Sequence, residues 1–157
     1  MCLPVILSAF RAQLPKHKDK RPKTEMTNDI FEQIFTDDRL AQLFPKERTD
    51  EFFEALYGDV EEGVYDINLV YEGHDSEQNV LRFNLNLSER PGKCLACHLT
   101  QGLPEVFSRH PIINVAGIVA KVDELLGDQA SCGEWSLGRT QSVSAKLYAV
   151  PLTIQLD

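Results

Sequence analysis

The chain is predicted to fold as an α+β domain, a four-stranded, mainly antiparallel sheet with helices packed on one face, in the order ααββαββ. Two observations carry this expectation. Apolar residues recur at helical spacing from residue 30 to residue 57, and the period then changes to strict alternation from residue 64 to residue 88. A third is the length: 157 residues are about one domain's worth and enough to enclose one core.

Each element has a local reason. Ile30, Phe31, Ile34 and Phe35, followed after the polar break Thr36-Asp37-Asp38 by Leu40, Leu43 and Phe44, predict one interrupted helix or two short ones, with its start near Asn28 and its stop at Pro45. Thr49 is the expected N-cap of the next helix. Asp50 and Glu51 suit its positive end, Phe52, Phe53, Leu56 and Tyr57 supply its apolar face, and Gly58 stands at the C′ position. Tyr65, Ile67, Leu69 and Tyr71 then line one face of a strand. After the connection Gly73-His74-Asp75-Ser76, Leu81, Phe83, Leu85 and Leu87 alternate with Arg82, Asn84, Asn86 and Ser88 in a second, antiparallel strand. Pro91-Gly92 marks a turn, and a short helical turn is expected from Pro104 to Arg109. Asn114 is the expected N-cap of a helix presenting Val115, Ile118, Val119, Val122, Leu125 and Leu126, with Gly127 as its terminator. Residues 134 to 138 and 143 to 156 read as two further strands, and Pro151 implies an edge position, a bulge or an interruption.

Charge and hydropathy exclude several functions. Residues 1 to 23 carry six basic side chains against Asp19 alone, and the other 134 residues hold 10 basic against 23 acidic, a formal charge of −13. An acidic body is repelled by phosphate, so neither nucleic-acid binding nor adhesion to an anionic membrane is expected of the folded part. No run approaches the roughly 20 apolar residues that span a bilayer. Residues 1 to 25 read as a flexible basic tail, with Met26 as a second initiator, and the single domain is expected from 26 to 157. In the tail the basic residues follow the apolar run Met1 to Phe10, the reverse of a secretory signal, so a cytoplasmic location is expected.

The chemically distinctive segment is Cys94-Leu95-Ala96-Cys97-His98, expected on a loop. Two cysteines three apart converge on a metal, or exchange a disulfide. Zinc would take Cys94 and Cys97 with further ligands among His98, His110 and Cys132, although no second paired motif completes a ribbon or finger. A thiol redox protein would use Cys94 and Cys97, with Arg90, Lys93 or Arg109 favouring the thiolate if they lie nearby. The plainest alternative has the cysteines plugging apolar space in an interaction module that binds no metal. The pattern also has the form of a c-type haem attachment site, a reading the lack of an export signal demotes. His74 is expected in solvent, Trp135 in the core, and Cys132 as packing more readily than as a ligand. No phosphate loop, nucleophile elbow or ordered carboxylate pair is present, so an accessory or binding protein, with an unidentified protein or small ligand as partner, is expected over an enzyme.

The run from Arg90 to Pro104, continuing through Val106-Phe107 and Arg109-His110-Pro111-Ile112, resembles a small bacterial family of uncharacterised proteins that often carry the label of a pancreas/duodenum homeobox protein. The resemblance covers Met26 to the C-terminus. The basic recognition helix and the Asn and Arg arrangement of a homeodomain are absent, so the label does not imply DNA binding here. The resemblance implies no catalytic residues.

Overall fold

A computed structural model describes residues 23 to 157. Its N-terminal part is helical: α1 (Lys23–Ile34), α2 (Asp37–Leu43) and α3 (Glu47–Tyr57). The polar break resolves into two helices, because Thr36 is extended and Asp37 and Asp38 open α2, where carboxylates complement the helix start. α1 begins at Lys23 rather than near Asn28. The expected flexible tail therefore meets the described residues only at 23 to 25, where the chain is helical, and its remainder lies outside them.

Thr49 is not the cap of α3. The helix begins two residues earlier, and Thr49 lies fully buried inside it, its Oγ1 accepting the Ile67 N–H at 3.2 Å. That bond joins α3 to the sheet edge, where a strand amide would otherwise lack a partner. Gly58 ends the helix as expected, at φ +76°, a conformation that favours glycine.

A 3-10 turn (Val60–Glu62) leads into β1 (Tyr65–Asp75), which pairs antiparallel with β2 (Val80–Glu89). β1 runs longer than its alternation implied and carries a bulge between Tyr71 and Gly73. The turn is held by Asp75, whose carboxylate accepts from the amides of Glu77 and Gln78 and from Arg82. Those bonds keep its pKa below the usual carboxylate value, backbone donation from Gln78 being the largest cause. His74, expected in solvent, is half-buried with its ring 4.9 Å from that of Phe31.

Three helices follow, α4 (Leu95–His98), α5 (Leu103–Arg109) and α6 (Val115–Leu126), and then β3 (Cys132–Leu137), β4 (Gln141–Ser144) and β5 (Leu147–Leu156). α6 is bounded as its sequence predicts. The Asn114 Oδ1 accepts from the Gly117 amide at 3.0 Å, and Gly127 closes the other end at φ +54°.

The sheet has five strands rather than four, in the order β1-β2-β5-β3, with β4 pairing on β5 beside β3. The extra strand arises inside the stretch expected as one strand, 143 to 156, which turns back at Ala145-Lys146 so that β4 and β5 form a hairpin. The gap between β3 and β4 has a separate cause. Pro151 sits in β5, which is paired on both sides and is no edge strand. In an antiparallel ladder a residue's N–H and C=O point the same way. The Pro151 carbonyl accepts the Gly138 amide at 2.7 Å, so the donor that proline lacks is missing on the β3 side. Pairing with β5 stops there, so β3 ends and β4 begins only beyond Gly138, Arg139 and Thr140.

Alternation gives the sheet one apolar face. Ile67, Phe83, Leu85, Leu87, Val150, Leu152 and Ile154 are each 1% exposed or less and form one cluster with Phe52, Phe107, Ile118 and Val122 from the helices. Each such side chain contributes about 1.5–3 kcal/mol on burial, which makes this interface the main source of stability. The opposite face carries Asn68, Asn84, Asn86, Ser88 and Thr153, the polar residues left over by a period of two.

Candidate functional site

The cysteine segment is built outward from the end of β2. Arg90 donates its amide to the Val64 carbonyl, and the Lys93 amide returns to the Arg90 carbonyl at 3.1 Å, closing a turn with Gly92 at φ +76°. The Glu89 carboxylate accepts the Leu95 amide at 3.1 Å, and the Lys93 ammonium donates to the Glu61 carbonyl at 2.7 Å. Leu95 itself is 0% exposed and sits in the core cluster. The segment is thus a one-turn helix, α4, rather than a loop, pinned by one buried leucine.

That anchoring sends the sulfurs outward. Residues three apart on a helical turn share a face, so Cys94 and Cys97 lie together, with Leu95 pointing the other way. Both cysteines are exposed, and they are joined as a disulfide with their Cα atoms 5.4 Å apart. They do not plug apolar space; Leu95 does. His98 is exposed beside them, and its Nδ1 donates to the Cys94 carbonyl at 2.8 Å. A carbonyl only accepts, so Nδ1 carries the proton and Nε2 is left with its other bonding position free.

The residues considered for a zinc site fall in different surroundings. His110 is half-buried, its ring 4.8 Å from that of Phe52 and its Nδ1 accepting the Ile112 amide at 3.3 Å. Cys132 opens β3, where burial first, and then the negative charges of Asp123 and Asp157, push its thiol up to about 11. A thiol so raised is a poor thiolate donor. Among the described residues no group of three or more His, Cys, Asp or Glu side chains is arranged to hold a metal ion.

Of the cations considered as thiol activators, Lys93 and Arg90 are engaged elsewhere, while Arg109 is exposed in the last turn of α5. Arg90 donates to Asp66 at 3.0 Å, to the Val60 carbonyl at 3.1 Å and to Asp50 at 2.6 Å, and its guanidinium lies 5.4 Å from the centre of the Phe53 ring. It ties α3, the 3-10 turn and β1 to the base of the cysteine turn. Gly63 is required beneath it, since a Cβ there would collide with Arg90 Nη1 and with Phe53.

Beyond α4 the chain runs along a cleft of about 490 Å³ lined by Leu99, Thr100, Gln101, Arg139, Thr140 and Tyr148. Leu99, Thr100 and Gln101 follow the cysteine turn directly, while Arg139 and Thr140 come from the gap that Pro151 opens between β3 and β4. Sequence reasoning did not single out these two residues. The signals for them were the break left between the expected strands, 134 to 138 and 143 to 156, and the irregularity implied by Pro151. No family model, curated protein or solved structure matches the chain.

Proposed function

We propose that Cys94 and Cys97 act as a reversible thiol–disulfide couple in a small cytosolic accessory protein. The observation that carries this reading is the exposure of both cysteines on a turn whose buried position is taken by Leu95. A structural cysteine pair is usually hidden; a reactive one must be reached by its substrate. In a reducing compartment such a pair is transient and catalytic more often than structural. A couple needs two sulfurs, whereas a structural zinc site needs four donors, and His110 and Cys132 are committed to other surroundings.

The chemistry is two-electron exchange. One thiolate attacks a substrate disulfide, expelling one substrate thiolate, and the second cysteine then attacks the mixed disulfide and expels the other. The protein pair is oxidised to a disulfide, the substrate is reduced to two thiols, and the two protein thiol protons pass to the leaving groups. His98 Nε2, oriented by the Nδ1 bond to Cys94, is the nearest base in sequence for that transfer.

The test is to equilibrate the protein in buffers of graded thiol–disulfide ratio, trap free thiols with a maleimide and read intact mass and peptide maps. A reversible two-thiol step mapping to Cys94 and Cys97 is expected. Thiols that stay reduced across the range, or a reduced pair saturated by stoichiometric zinc, would overturn the reading.

A further inference from the structure

We infer that the cleft beside α4 recognises the carboxylate of a low-molecular-weight disulfide or thiol and delivers its sulfur to the Cys94–Cys97 pair, an inference that rests on the redox reading above. The first ground is placement. Leu99, at the cleft wall, is two residues from Cys97, and two residues of chain span at most about 7 Å, the reach of a short thiol peptide from its sulfur to a nearby carboxylate.

The second ground is the chemistry of the lining. Arg139 is exposed and forms no ion pair among the described residues, in a chain whose net charge is −8. A guanidinium offers paired donors that match a carboxylate, and in an acidic chain it gives an anion a local place to bind. Next to Arg139 in the same cleft, Thr140 Oγ1 is buried with no partner among the described residues. A buried hydroxyl without a partner costs stability unless something supplies one, and such groups concentrate where a ligand completes them. Thr100 and Gln101 add a further hydroxyl and an amide, while Leu99 and Tyr148 form an apolar wall.

The third ground is that the gap is a product of the fold. Pro151 cannot donate toward β3, so the edge strand opens at residues 138 to 140 and leaves Arg139 and Thr140 at a cleft instead of in a ladder. The volume, about 490 Å³, lies in the range of small-ligand sites.

The experiment uses the reduced full chain with two oxidants of opposite character, oxidised glutathione, which carries carboxylates, and the neutral bis(2-hydroxyethyl) disulfide. In each case the Cys94–Cys97 dithiol becomes a disulfide and the oxidant becomes two thiols. Arg139→Gln is expected to lower the second-order rate with oxidised glutathione about tenfold or more, the loss of a charge-assisted bond, and to leave the neutral disulfide unaffected. Thr140→Val, which keeps the shape and removes the hydroxyl, is expected to reduce the glutathione rate about threefold to tenfold without lowering Tm. Equal rates for the two oxidants, or equal slowing of both by Arg139→Gln, would overturn the inference and leave the couple standing. Failure of the dithiol to react with either oxidant would sink the couple, and this inference with it.

Discussion

Leu95→Ala is the perturbation that separates the two accounts of the cysteine turn most directly. Leu95 is 0% exposed and belongs to the main core cluster, while the cysteines on either side of it are exposed. Truncating a buried leucine to alanine removes its transfer free energy and leaves a cavity, together about 2.7–5 kcal/mol. In a domain of this size that corresponds to a fall in Tm of about 10 °C or more. Cys94→Ser with Cys97→Ser, compared with the wild-type chain in excess reductant so that no disulfide contributes to either, is expected to change stability by less than about 0.5 kcal/mol, as for other exposed positions. The assay is urea unfolding followed by the fluorescence of Trp135, which packs against the same core. If the double serine variant lost as much as Leu95→Ala, or if Leu95→Ala cost less than about 1 kcal/mol, the cysteines would be the packing element and the couple would lose its structural basis.

Thr49→Val keeps the volume of a buried side chain but leaves the Ile67 amide without its acceptor, and urea unfolding is expected to show a loss of about 1–3 kcal/mol. Arg90→Lys keeps the charge but not the fork that reaches Asp50, Asp66 and the Val60 carbonyl at once, so a loss of about 1–2 kcal/mol is expected, with part of it removed from both proteins by 1 M salt. Cys132 should alkylate far more slowly at pH 8 than a free thiol, catching up only as pH approaches about 11. Because its folded pKa is raised, Cys132 contributes stability that is fully present below the unfolded thiol value near 8.5 and lost as pH rises through about 11. A Cys132→Ser variant should therefore show a flatter alkaline limb in a Tm against pH profile.

The parts of the fold that depend on local pattern were readable before any coordinates. α6 combines an apolar stripe with chemistry at both ends, Asn114 as its cap and Gly127 as its stop, and each signal is independent of the rest of the chain. β1 and β2 announce themselves through a period of two that a buried face imposes. Thr49 was misplaced for the opposite reason. A threonine beside acidic residues has the chemistry of a cap, and only the approach of Ile67, distant in sequence, makes it a buried bridge instead. The division of the last strands was half visible: the break between residues 138 and 143 was expected, and the turn at Ala145-Lys146 was not. Pro151 signalled an interruption, but a proline interrupts only the ladder on the side its nitrogen faces, and that side depends on which neighbours β5 acquires.

The same limit governs the site. The spacing of Cys94 and Cys97 is identical whether the pair faces solvent or core, so sequence alone left metal, redox and packing readings open. One residue between them decides which way the pair faces. Leu95 is the only large apolar side chain in the turn, Glu89 holds its amide, and once it is buried a helical turn must present the flanking residues outward. On the proposed redox reading, burial of Leu95 and reactivity of the cysteines are therefore coupled. A variant that releases Leu95 should loosen the geometry that keeps both sulfurs on one exposed face, and so slow the second step of exchange, in which Cys94 and Cys97 must meet, more than the first. Accumulation of the trapped mixed disulfide in Leu95→Ala, and not in wild type, is the result that this coupling requires.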